Sequence, residues 1–440
     1  MDSSRTTLVD AGIGRPFVEE RYLTWAAVMM IASMATLVQS YVAIKLFFLA
    51  LFLLAFLVDV YLKRTRIVVY RRLAWFYLWI GVAGVTWALV GLFHPPNHFQ
   101  GILEALRLYV VWSAAFVVLY TFLRAGPSLK IMHTAMVTAG ILIPVINFVG
   151  LYDQYSRLGL ISDSIRQELD MQVGFHDGYI QITSQNIDVM FLIVPYLLSL
   201  QFRADAGKSN SRLTKLALGL SHILVVVSGR RALWLVMALT PWTILVLSWF
   251  TGGYGLMKVG GRRVLLACVA ISVFAFSTLF IIPESRLDVG SISRLKEAFS
   301  SEDYRTIQKP YLIAGFMESP IFGSGFGAAA RYIRDDERPW AGYELTYYQM
   351  LFNLGIVGVT VLGVLFTSYL VKVVRLSRQF RNGSVVPFAL LVAYCSFFIG
   401  AYSNRYFGSF DLLFFVGLLP YLSTFEHGFD WPHLTAGMAG

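Results

Sequence analysis

The sequence predicts an all-α polytopic membrane protein with about 12 transmembrane helices and one long, partly helical extramembrane loop. Three observations carry that prediction. Hydrophobic residues make up 57% of the 440-residue chain and charged residues only 14%, whereas soluble domains carry about 25% charged residues. Long apolar runs with few charges recur from Leu23 to Phe425, most of them near the ~20 residues that a helix needs to cross a bilayer. A polar stretch from Pro283 to Tyr347 interrupts them. Strands are not expected, because the runs lack period-two alternation.

Taken in order, the candidate spans are 24–38, 44–62, 73–93, 105–123, 131–150, 188–202, 216–229, 232–250, 264–282, 347–371, 385–403 and 411–425. Gln39-Ser40-Tyr41 alone separates the first pair. The seventh is short and is a candidate for a break near His222. Residues 1–22 hold no apolar core of a cleavable signal, so the amino terminus is expected to be retained.

Charge sets the expected orientation. Lys63 to Arg72, Arg203 to Lys215, Lys258 to Arg263 and Lys372 to Arg381 all follow even-numbered spans. By the positive-inside rule these loops and both termini face the cytoplasm. That accounts for much of the net charge of +10 without invoking nucleic acid. The opposite side receives 94–103, 151–187, the Gly229-Arg230-Arg231 turn, 283–346 and Asn404-Arg405. Arginines on that side break the rule locally, which points to a task other than topology. No repeat or linker divides the chain, so residues 1–440 read as one integral domain, with 283–346 as a loop within it.

The loop is expected to contain a helix. Ser301 can cap it, with Glu302 and Asp303 in its first turn. Pro310 is expected to kink or restart it, and Ser319-Pro320 to end it. The glycines of Gly323-Ser324-Gly325-Phe326-Gly327 then suggest a tight, mobile chain reversal over the site. As a phosphate loop this turn is weak, since it lacks a following Lys-Ser/Thr.

Arg230 and Arg231 stand at the outer edge of an apolar span. A guanidinium grips phosphate oxygens as a planar fork, and near a bilayer it needs a partner. Snorkelling to lipid headgroups is the plainer alternative. Arg305 lies on the loop helix upstream of the glycine turn. Glu344, at the mouth of the tenth span, is either a general base for an acceptor hydroxyl or the ion-pair partner of an arginine. Trp340, Tyr343 and Tyr347 beside it form either an interfacial belt or a surface that contacts substrate. In the 151–187 loop, Arg166, His176 and Asp177 are further candidates, against the reading of simple loop polarity. Arg107 is expected to pair with Glu104 or another carboxylate. Cys268 and Cys395 fall in spans and read as packing, and no metal-ligand spacing is present.

In combination these pieces resemble the O-antigen ligase and polysaccharide polymerase superfamily. The resemblance rests on Ser228-Gly229-Arg230-Arg231-Ala232, Arg305, the segment Ser319 to Gly327, Glu344, and Gly355-Ile356-Val357-Gly358. It implies a metal-independent glycosyltransferase of the bacterial inner membrane, with no cofactor and an active site on the periplasmic face. It also implies an undecaprenyl-pyrophosphate-linked glycan as donor, with Arg230 and Arg305 holding the pyrophosphate. Ligases of the family carry a histidine where this chain has Glu344. A glutamate there is more similar to the polymerases, whose acceptor is a lipid-linked repeat unit and whose partners include a chain-length regulator. The alternatives are a ligase acting on lipid A-core and, from a different class, a transporter or flippase of lipid-linked oligosaccharide. Transporters commonly show paired halves with broken helices in matching positions, and the sequence shows neither.

Overall fold

The computed structural model describes residues 21–37, 40–63, 70–94, 97–125, 128–156, 158–176, 179–202, 211–252, 261–263, 265–269, 304–331, 339–340, 343–379, 385–403 and 410–424. The described residues are mostly helical, with seven helical stretches long and apolar enough to cross a membrane and three shorter apolar helices. Most of the ninth expected span and the start of the long loop lie outside the described residues.

The elements follow the apolar runs. Helices α1 (Arg21–Thr36) and α2 (Val42–Lys63) are joined through Tyr41, whose φ of 47° makes the reversal. Helix α3 spans Arg71–Phe93. The fourth run starts earlier than the sequence suggested. Helix α4 (Phe99–Leu106) passes through a π-helical segment, Arg107–Trp112, into α5 (Ser113–Ala125). Helix α6 covers Ser128–Ser156, and a short α7 covers Asp163–Glu168. A 3-10 turn, Gln185–Val189, leads into α8 (Met190–Phe202). Helices α9 (Arg212–Val227) and α10 (Arg231–Phe250) flank the Gly229-Arg230 turn. Helix α9 is unbroken at His222, whose ring nitrogen lies 2.9 Å from the Leu218 carbonyl. Helix α11 (Tyr304–Glu318) is the loop helix, α12 covers Thr346–Gln379, and α13 covers Val385–Gly400. The last run is split at Gly417 into α14 (Phe410–Val416) and α15 (Leu418–Leu422).

Helices α8 and α13 are buried nearly all round and pack on each other at the centre. Their lack of any polar stripe requires such a position. One expectation is corrected by a small hairpin. Strands β1 (Gln172–His176) and β2 (Tyr179–Thr183) pair antiparallel, with His176 opposite Tyr179. The missed signal is Asp177-Gly178 between two alternating runs, a two-residue hairpin signature.

The glycine turn after α11 is clamped, not a mobile flap. Helix α12 is interrupted at Gly355, where φ is 63° and ψ is −172°. A restarted helix has orphan N–H groups. Ile356 and Val357 donate theirs to the carbonyls of Pro320 (2.9 Å) and Ile321 (3.0 Å). Ser324 and Gly325 in turn donate to the carbonyls of Phe352 and Asn353, both at 2.9 Å. Trp87 on α3 closes the joint, donating its indole N–H to Phe322 O (2.8 Å) and Leu354 O (2.9 Å). Gly325, at φ 77°, sits so close to α3 that an added Cβ would lie 2.2 Å from the Gly91 nitrogen. Helix α11 continues through Pro310 without a break and ends at Glu318 as expected.

Contacts sort the helix ends. Arg72 donates to the Ser423 carbonyl at 2.7 Å, and Tyr369 donates to the Arg72 carbonyl at 2.6 Å. These join α3, α12 and the end of α15. At the opposite end, Asn97 donates to the carbonyls of Gly91 (3.0 Å) and Ser324 (2.7 Å). Deep in the helical assembly the chain also carries a fully buried ion pair, Lys45 with Asp411 at 2.8 Å. Such a pair persists in an apolar setting because each charge satisfies the other.

Candidate functional site

The turn before α10 is built around Arg230. Its backbone is extended, and Gly229 before it has a φ of 65°, so the chain reverses and the side chain projects from the helix start. One guanidinium nitrogen makes an ion pair with Asp188, and another donates to the Ser184 carbonyl at 3.3 Å. Both partners belong to the approach to α8. A buried amide network fixes that approach. Asn147 of α6 donates to Asn186 Oδ1 at 3.0 Å, and the Ser184 hydroxyl donates to Asn147 Oδ1 at 2.7 Å. Three helices therefore hold the arginine fork in one place.

Glu344 joins this cluster from the far side of the chain. Its charge is felt at the Asp188 carboxylate, which puts the two acids in one electrostatic neighbourhood. Its backbone N–H donates to Gln308 Oε1 at 3.0 Å, and Gln308 is fully buried on α11. Arg305 lies one turn before Gln308 on that helix, at the spacing that shares a face. The side chains of Arg305, Arg231 and His176, and the whole of Asp177, lie outside the described residues. The backbone nonetheless brings the Arg230 turn, Glu344 and the Arg305 helix to one end of the fold.

The other candidates are placed differently. Arg166 pairs with Asp153 at 2.6 Å and with Gln154, while Asp153 also accepts the N–H groups of Leu160 and Ile161. It thus ties the loop after α6. Tyr343 is buried, accepting from the Ala330 N–H at 2.7 Å and donating to the Pro339 carbonyl at 3.2 Å. Burial pushes its hydroxyl above the ordinary tyrosine range. Tyr347 donates to the Phe398 carbonyl and leans on Tyr402. Trp340 donates to Glu104 at 3.1 Å and lies against His98. The expected pairing of Arg107 with Glu104 or another carboxylate is not seen among the described residues; the Glu104 carboxylate accepts from Trp340.

A cavity of about 500 Å³ adjoins the cluster. Gln185 and Thr346 line it, and they stand within three residues of Asp188 and Glu344. Asp188 and Gln308 were missed as site residues. A carboxylate at the start of an apolar run was the overlooked signal for Asp188, since it requires a partner at that depth. For Gln308 the sequence offers none.

Fold and site together define a polytopic helical membrane protein with an arginine–carboxylate cluster at one end of its helices. Residues 216–363 match the family model described as O-Antigen ligase. This supports the O-antigen ligase and polymerase superfamily that the sequence resembles, and the ligase or polymerase activity associated with it. The matched segment contains Arg230, Arg305 and Glu344 and stops short of Asp188. No match was found among curated proteins.

Proposed function

We propose that the protein is a metal-independent inner-membrane glycosyltransferase that polymerises lipid-linked oligosaccharide repeat units on the periplasmic face. Undecaprenyl-pyrophosphate-linked glycan is the donor and an incoming lipid-linked repeat unit the acceptor. The observation that carries this reading is the meeting of Arg230, Asp188 and Glu344 at one end of a membrane scaffold, inside and beside the matched segment.

In this reading the chain has about 12 spans with both termini cytoplasmic. The grouping of Arg72, Tyr369 and Ser423 at the end away from Arg230 supports it. Arg230 and Arg305, with Arg231 beside them, hold the donor pyrophosphate. The acceptor hydroxyl attacks the anomeric carbon of the donor glycan and forms the new glycosidic bond. The bond from that carbon to the pyrophosphate oxygen breaks, and its electron pair leaves with the lipid pyrophosphate. Glu344 takes the proton of the acceptor hydroxyl. The leaving group gains charge as the bond breaks, and fixed guanidinium groups stabilise that charge.

The ligase reading shares this chemistry and differs only in acceptor, lipid A-core. The description of the matched family favours it; the glutamate at position 344 favours the polymerase. The glycan pattern of a deletion strain decides. Single-unit caps on lipid A-core, or accumulated single lipid-linked units, are the expected result. Free lipid-linked polymer would establish the ligase and overturn the polymerase.

A further inference from the structure

We infer that the cavity between α3, the π-helical segment and α12 binds the lipid-phosphate end of a second, acceptor molecule, with Arg107 as its phosphate ligand. The inference rests on the polymerase reading, in which both reactants are lipid-linked and each brings an anionic head.

The cavity is graded from polar to apolar. Along α12 its wall runs from Thr346 and Gln349 at the site end to Leu362 and Phe366 deeper in. Such a gradient fits an amphiphile with its head toward the site and its chain in the membrane interior. Arg107 lines this cavity on the π-helical segment within the apolar stretch Phe99–Thr121. Single π turns inside α-helices are frequent at functional sites. Among the described residues Arg107 has no hydrogen-bond or ion-pair partner. Of the two acidic residues of the wall, Asp411 is paired with Lys45, and Glu104 accepts the indole N–H of Trp340. The Arg107 side chain is exposed and lines the cavity, open to a ligand, and a phosphate is the partner its fork matches.

The position separates this arginine from the donor clamp. Arg230 is held by Asp188 and Ser184 and does not line the cavity. Gln185 and Thr346 do, so a head seated there ends beside the Asp188–Glu344 pair but on a different cation. An acceptor glycan leading out of the cavity then passes the carboxylate assigned as base.

The test uses the full chain in nanodiscs of neutral phosphatidylcholine, with farnesyl pyrophosphate as probe and calorimetry to count sites. Wild type is expected to show two sites. Arg107→Ala should weaken one of them about ten- to a hundredfold, the loss of one charge-assisted contact, and leave the other. Ala83→Phe, which narrows the cavity without touching charge, should weaken the same one. Arg107→Gln serves if the alanine variant does not fold. Arg230→Ala should remove the other site. Unchanged binding in both Arg107 and Ala83 variants overturns the inference and leaves the donor clamp standing. Unchanged binding in Arg230→Ala alone refutes the clamp and leaves the cavity site standing. Inorganic pyrophosphate that fills the Arg107 site as tightly as the farnesyl probe would overturn the amphiphile assignment.

Discussion

Asp188 pairs with Arg230 and feels the charge of Glu344, so one carboxylate is both the counter-ion of the candidate clamp and the electrostatic neighbour of the candidate base. A pyrophosphate that takes the Arg230 fork must displace Asp188. Asp188→Asn is therefore expected to tighten donor binding and to lower the thermal stability of the free protein. The pair is partly exposed, so the stability loss should be about 1–3 kcal/mol, below that of a fully buried pair. Arg230→Lys should act oppositely on function, reducing turnover by about 1.5–3 kcal/mol of transition-state stabilisation, because a point charge cannot replace the fork. Donor KM and melting temperature on purified variants check both. Weaker donor binding in Asp188→Asn would show that Asp188 is not the group displaced.

Glu344→Gln isolates the proton transfer. The amide keeps the shape and the backbone bond to Gln308, yet it accepts no proton at working pH. Turnover is expected to fall about 10²–10⁴-fold with donor affinity retained. Normal turnover would remove Glu344 as base, and Asp188 would be the next carboxylate to test. Weak donor binding with normal turnover at saturation would mark Glu344 as a structural partner of the arginines.

The helical scaffold was legible because apolar run length reports bilayer thickness directly. Residues such as Arg230 and Glu344 stood out because a charge at a membrane edge needs a reason. What the sequence hid were pairings between distant segments. Nothing local joins Asp188 to Arg230, or Gln308 to Glu344. The glycine turn was misread for the same cause. Its three glycines suggested freedom, while its restraint comes from Trp87 and the Gly355 break, both far away in sequence. Arg107 was expected to pair with Glu104 or another carboxylate, and nothing in the sequence signalled that Trp340 reaches Glu104 from across the fold.

Gly325 tests the clamp on α3. Gly325→Ala forces a left-handed backbone on alanine, costing about 1–2 kcal/mol, and drives its Cβ into the Gly91 backbone. The yield of monodisperse protein should fall sharply, and the melting temperature with it. Gly219→Ala on α9, where nothing lies within 4 Å of the added carbon, is expected to be neutral or slightly stabilising. Equal behaviour of the two variants would contradict the tight joint.

Orientation can be read chemically. Arg331 is exposed, paired only across the surface with Glu318. In an Arg331→Cys variant with Cys268 and Cys395 replaced by alanine, an impermeant thiol reagent should label intact spheroplasts. Labelling that appears only after lysis would place this end of the molecule in the cytoplasm and reverse the proposed topology.

The Lys45–Asp411 pair gives the last prediction. Both side chains are fully buried, and the lysine also donates to the Leu37 carbonyl at 2.9 Å. The pair links the start of α2 to the start of α14, far apart in sequence but adjacent in the fold. Lys45→Met alone removes the cation that Asp411 pairs with, and Asp411→Leu alone removes the anion that Lys45 pairs with. Each single change is expected to cost about 3–5 kcal/mol. The double change removes both charges together and replaces them with packing volume. It should therefore recover most of the loss, because the two substitutions couple through one contact. A thermal-unfolding cycle over the four proteins measures that coupling. Additive losses would mean that the two charges are stabilised separately. A double variant that is stable but inactive would instead mark the pair, whose Asp411 lines the cavity, as part of the binding machinery.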